Sequence, residues 1–154
     1  MIRFEDKKNA DESRKRRAEI ASKYDFLKVT KKTIRPNTID ERLSFEVEDG
    51  WLPLLEDLFE KMATVVKRDN LAEFQIVQVK EKFGGLRVYI HNGNKDINDL
   101  ISAAEAKAWV TCEYCGEPGE CHSFGGWYIT ECDVCLMIRK LDDNARVWGD
   151  LDDV

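Results

Sequence analysis

In WLPLLEDLFEKMATVVKR the apolar residues Trp51, Leu54, Leu55, Leu58, Met62, Val65 and Val66 recur at intervals of three and four. That spacing gathers them on one face of a helix, and Pro53 sits in the first turn, where its missing N–H is tolerated. The next segment, AEFQIVQVKEKFGGLRVYIHNGN, switches to period 2. Val77 and Val79 alternate with Gln78 and Lys80, and Leu86, Val88 and Ile90 alternate with Arg87, Tyr89 and His91. This predicts a hairpin with strands over 74–80 and 86–91, one buried face, and a turn at Gly84-Gly85 that uses positive φ. KDINDLISAAEAKAW returns to helical spacing, with Ile97, Leu100, Ile101, Ala104 and Ala108 inward and Asp96 as a candidate cap.

The flanks are different. Up to Ile20 the chain is charged and poor in large apolar residues, and a helix over about 10–24 would carry only Ile20, Tyr24 and Leu27 on its stripe. Such a helix is weak alone, so this segment reads as a basic arm, partly disordered or docked on a partner. Pro36-Asn37-Thr38 punctuates its end, and LSFEVEDG offers a short alternating strand. At the other end, Trp127, Tyr128 and Ile129 form a β-run, and DVCLMIRKL has helical spacing at Val134, Met137, Ile138 and Leu141. The acidic tail that follows has Val147 and Trp148 as its only anchors and is expected to fray.

The pattern implies an α+β fold: a core of helix, β-hairpin and helix, closed by a C-terminal zinc-ribbon or treble-clef-like module. The expected boundaries are a basic N-terminal arm (1–35), an α+β core (36–110), a metal module (111–141) and an acidic tail (142–154). With 154 residues the chain can bury a real core, so its cysteines need not be its only source of stability. Met1 is followed by charged residues rather than by an apolar run suited to a signal peptide or a membrane span, which points to the cytoplasm. That compartment is reducing and favours thiols as ligands over disulfides.

All five cysteines lie in CEYCGEPGECHSFGGWYITECDVC. Cys112-x-x-Cys115 and Cys132-x-x-Cys135 are separated by 16 residues, the spacing of a two-knuckle Zn²⁺ site. Two residues between thiols let both reach one ion from a tight turn, and Gly116 suits a turn residue with positive φ. A redox CxxC needs one pair only, so two pairs favour metal over thiol exchange, and zinc over an iron–sulfur cluster. Four thiolates leave no open coordination position, so the expected Zn(2+) is structural. Cys121 or His122 could replace one of the four.

The strings GWLPLLEDLFEKM, VQVKEKFGGLRVYI, ISAAEAKAWVTCEYCGEPG and WYITECDVC together resemble a family of small phage and bacterial proteins, over about residues 50–136. VKEKFGGLR joined to a paired-CxxC module is the specific part of that resemblance. It implies a phage-like or mobile-element context and no particular reaction.

Charge then separates the function classes. The net charge of −6 is uneven: residues 1–35 hold 12 Lys and Arg against 6 Asp and Glu, and the rest 12 against 24. An acidic body repels phosphate backbones, so nucleic acid could bind only through the arm, at Arg14, Lys15, Arg16 and Arg17. No P-loop, GxGxxG, HExxH or paired-carboxylate motif is present, and the two histidines stand in no catalytic string. The leading expectation is a non-catalytic interaction protein, an adaptor or an inhibitor of a host or defence enzyme. Its partner would meet Lys80, Lys82 and Arg87 on the hairpin; the alternative is a nucleic-acid-binding zinc-ribbon protein using the arm.

Overall fold

The structure is a computed structural model, and it describes residues 4–31 and 39–149. In chain order the elements are α1 (Phe4–Lys23), β1 (Lys28–Lys31), β2 (Ile39–Arg42), β3 (Phe45–Glu46), α2 (Leu52–Arg68), β4 (Gln75–Lys82), β5 (Gly85–His91), α3 (Lys95–Ala108), β6 (Glu120–Phe124), β7 (Trp127–Glu131) and α4 (Asp133–Gly149). This is an α+β fold with three small sheets: β1 with β2, β3-β4-β5, and β6 with β7. β3 runs parallel to β4, and the other pairs are antiparallel.

The helix expected after Gly50 is α2, and its stripe supplies the centre of the core. Leu52, Leu55, Phe59 and Met62 are fully buried together with Trp51, Ile76, Val79, Leu86 and Ile97. α3 packs on α2 and along β5. Its cap is Asn94, whose side-chain oxygen accepts the Ile97 N–H at 3.0 Å. Asp96, the expected cap, lies in the first turn and pairs with Arg68 instead.

The hairpin forms in the expected place with two local differences. Lys82 pairs with Gly85, so the turn residues are Phe83 and Gly84, both at positive φ, rather than Gly84-Gly85. A bulge between Ile76 and Gln78 leaves Val77 unpaired and turns it outward, while Ile76 and Val79 face the core. One extra residue on a strand reverses the alternation beyond it, which period 2 alone does not reveal.

The basic arm is docked on its own chain. Ile20 and Ala21 are buried, and Tyr24 stacks on Phe26 at 5.2 Å. The Arg17 guanidinium donates to the Phe45 carbonyl at 2.8 Å, the Val47 carbonyl at 2.7 Å and Asp49 at 2.7 Å. Arg17 is thus a structural residue of the α1 junction rather than an outward-facing one. Burial would push the Asp49 carboxyl up, but the Ser13 hydroxyl and Arg17 outweigh it and hold the group below its ordinary 3.8. The junction therefore stabilises the fold above about that pH and weakens as pH falls through the lowered value. Arg17→Ala is expected to cost about 1.5–3 kcal/mol, the range for hydrogen bonds to charged groups. In urea titrations the midpoint should fall, and hydrogen exchange should rise first in α1. An unchanged midpoint would contradict the docking role.

α4 begins where the second CxxC predicts a helix but does not stop near 141. It runs to Gly149, since no glycine or proline interrupts residues 133–148. Pro36-Asn37-Thr38 and the last five residues of the acidic tail lie outside the described residues, as do the side chains of Val147 and Trp148.

Candidate metal centre

Cys112 leaves the end of α3 in a tight knuckle. Its N–H donates to the Glu117 carbonyl at 2.7 Å, and the Gly116 N–H returns to the Cys112 carbonyl at 2.9 Å. Gly116 has φ +81°, and an added Cβ would lie 3.0 Å from the Gly50 carbonyl oxygen. The chain then forms the β6–β7 hairpin, with Gly125 and Gly126 at its turn. Cys132 follows directly, and Cys135 sits in the first turn of α4. The four sulfurs of Cys112, Cys115, Cys132 and Cys135 lie within 4.8 Å of one another, with Cys115 and Cys132 at 3.6 Å. A regular tetrahedron with zinc–sulfur bonds of about 2.3 Å has edges of about 3.8 Å, so the four thiols fit a single ion.

Local polarity favours thiolate at Cys132. The Cys135 N–H points at Cys132 Sγ at 3.4 Å and, against burial, holds that thiol down at about 7. Burial and the neighbouring thiols push the Cys135 thiol up. A divalent ion placed among the four sulfurs would supply the positive charge that favours thiolates there. Cys121 and His122 stand apart on β6, and the four-sulfur group is complete without them. Cys121 lies against the Gly84 turn, and His122 lies with Glu120 and Asp133.

Short bonds fasten the module to the core. The Gly50 N–H donates to the Glu113 carbonyl at 2.7 Å and Trp51 Nε1–H to the Thr111 carbonyl at 2.9 Å. Glu113 N–H donates to the Thr130 carbonyl, and Thr130 Oγ1–H to the Gly84 carbonyl at 2.6 Å. Gly50 must be glycine here, because a Cβ would meet the Cys112 and Glu113 carbonyl oxygens at 2.4 Å.

The other expected site residues fall into two groups. Lys80 lies opposite Arg87 in the β4–β5 register, on the outer face of the sheet, and Lys82 is exposed beside the turn, with its Nζ 5.8 Å from the Phe83 ring centroid. Arg87 is half-buried, with Nη1 donating to the Leu86 carbonyl at 2.9 Å. The hairpin charges are thus brought together. The arm cluster is not: Arg17 turns to Asp49, Arg16 lies 3.4 Å from Glu56, Arg14 pairs with Asp11 at 3.5 Å, and Lys15 is exposed.

Two features escaped sequence reasoning. Glu131 is fully buried and paired with Arg139 of α4 at 2.5 Å, with the same guanidinium 4.4 Å from the Phe124 ring centroid. Glu48, Glu81 and Glu113 converge beside the Gly84 turn. There, burial pushes the Glu113 carboxyl up to about 7, with Glu81 and Glu48 adding to the effect and the Glu48 N–H opposing it. Of the three, Glu81 stands out in the sequence as a candidate functional charge of the VKEKFGGLR signature, but no pattern relates it to Glu48 or Glu113. No helix of the described residues is long and apolar enough to cross a membrane. Comparison with family models, with curated proteins and with solved structures finds no match to this chain.

Proposed function

We propose that this chain is a non-catalytic zinc-binding interaction protein, an adaptor or an inhibitor of another protein. The four-sulfur cluster carries the reading. A knuckle, a hairpin and a helix with the second pair at its start make a treble-clef-like module, favoured here over a plain zinc ribbon by the placement of Cys135 inside α4. Four thiolates saturate Zn²⁺ and leave no position for a reacting water, so the ion serves the fold. The surface that remains is suited to contact. Trp127, Val134, Met137 and Leu141 are all more than half exposed, as are Phe83, Val110 and Ile138. Exposed apolar area of this kind marks interaction surfaces. The resemblance to small phage and bacterial proteins adds a context in which a host or defence enzyme in the cytoplasm is the target.

Nucleic-acid binding through the arm has weaker support, since Arg16 and Arg17 are engaged with Glu56 and Asp49. Chain purified without added zinc should contain about one equivalent of the metal. Capture from a host lysate should yield a protein partner that survives nuclease treatment, and Arg87→Ala should reduce capture without lowering the melting temperature. A folded, metal-free chain would refute the zinc assignment, and nuclease-sensitive capture would favour the arm.

A further inference from the structure

The turns of the β4–β5 and β6–β7 hairpins line a common cleft of about 470 Å³. Its walls are aromatic. Phe83 and Trp127 stand 64% and 78% exposed at the two turns, and Tyr128 meets Phe83 edge to face at 6.3 Å. Tyr114 of the knuckle adds a fourth ring. Large rings left this open to water gain little from their own fold.

The polar part of the cleft has one sign. Glu81 Oε1 accepts the Gly84 N–H at 2.7 Å. Glu113 is only 6% exposed yet reaches the cleft; its Oε1 accepts the Glu48 N–H at 3.1 Å, and its Oε2 has no hydrogen-bond partner among the described residues. No described Lys or Arg lines the cleft, and none forms an ion pair with Glu48, Glu81 or Glu113. Carboxylates drawn together without a counterion are unfavourable, and aromatic faces attract organic cations more readily than hydrated metal ions. The acidic body of the chain extends the same preference outward.

We infer that this cleft receives a cationic side chain, a lysine or an arginine, presented by a protein partner. The inference rests on the interaction-protein reading and adds the chemistry of the partner. The aliphatic stem lies along the rings while the charged head meets Glu81 and Glu113, which pairs each half of the ligand with the matching half of the cleft.

The test is a titration of zinc-loaded full chain followed at the Trp127 indole N–H by NMR. The probes are a blocked Gly-Gly-Lys-Gly-Gly peptide, its Arg counterpart, its norleucine counterpart and tetramethylammonium chloride. The Lys and Arg peptides should give saturable shifts, and norleucine should bind at least about tenfold more weakly, because it lacks the charge. Glu81→Gln should weaken the Lys peptide by about tenfold. Trp127→Ala, followed at the Gly126 amide, should do the same and should fold normally because that ring is exposed. Equal binding of norleucine, or no shift with either cationic peptide, overturns the inference. Saturable tetramethylammonium binding without the peptides also overturns it, by assigning the cleft to a free small cation. Zinc content is measured on the same sample. A zinc-loaded chain that ignores both peptides refutes the cleft alone, and a metal-free folded chain that binds them refutes the zinc assignment alone.

Discussion

Removing the metal, by chelation or by Cys132→Ser, is expected to release residues 109–143 while α2, β4 and β5 keep their protection from hydrogen exchange. The reason lies in how unevenly apolar burial is distributed. The core cluster runs from Ile20 to Ala108, and among the described residues Cys112 is the only apolar residue beyond it that is buried. In the module the other buried residues are Glu113, Thr130 and Glu131, so it has no hydrophobic core of its own. On the proposed zinc assignment the ion takes that place, and structural zinc contributes about 10–16 kcal/mol of apparent binding free energy in small domains. The helix–hairpin core has Trp51, Phe59, Ile76 and Leu86 fully buried and should survive. Some loss will reach it through the Gly50 and Trp51 bonds to the knuckle, seen as faster exchange at the start of α2. Loss of protection throughout α2 and β4 at the same rate would show that core and module form one cooperative unit.

Arg139→Ala is expected to cost about 3–5 kcal/mol, far more than a surface charge would. Glu131 has a fully buried side chain, whereas Arg139 is a quarter exposed, so deleting the arginine strands a carboxylate that water cannot reach. The arginine's own guanidinium gains from the hydrogen bond to Glu131, which raises its pKa above the ordinary value. It also covers the Phe124 ring, and that contact adds to the loss. Arg139→Ala combined with Glu131→Gln should recover part of the stability, because the neutral amide is cheaper to bury. Denaturant titrations of the two variants and the wild type measure this directly. A loss below about 1 kcal/mol for Arg139→Ala would place the pair among ordinary surface bridges.

Repeating local patterns were legible in the sequence alone. The stripe of α2, the two periods of the hairpin, the spacing of α3 and the paired CxxC units each depend on residues a few positions apart, whose geometry follows from 3.6 or 2 residues per repeat. Gly116 was legible for the same reason, since a knuckle needs its positive φ wherever it is placed. What remained hidden depends on which distant segments meet. The basic run around Arg17 reads as a solvated arm until Phe45, Val47 and Asp49 arrive to accept its donors. Val77 reads as a core residue until the β5 register puts a bulge beside it. Nothing in the local pattern marks Glu131 and Arg139 as a pair, although β7 and α4 bring them together and bury the Glu131 side chain. Glu48, Glu81 and Glu113 are 33 and 32 residues apart in sequence, and no periodicity relates them. Only the docking of the knuckle on Gly50 and of β7 on the Gly84 turn brings them to one cleft, because a contact between elements is set by packing shape and paired polar groups rather than by the local repeat.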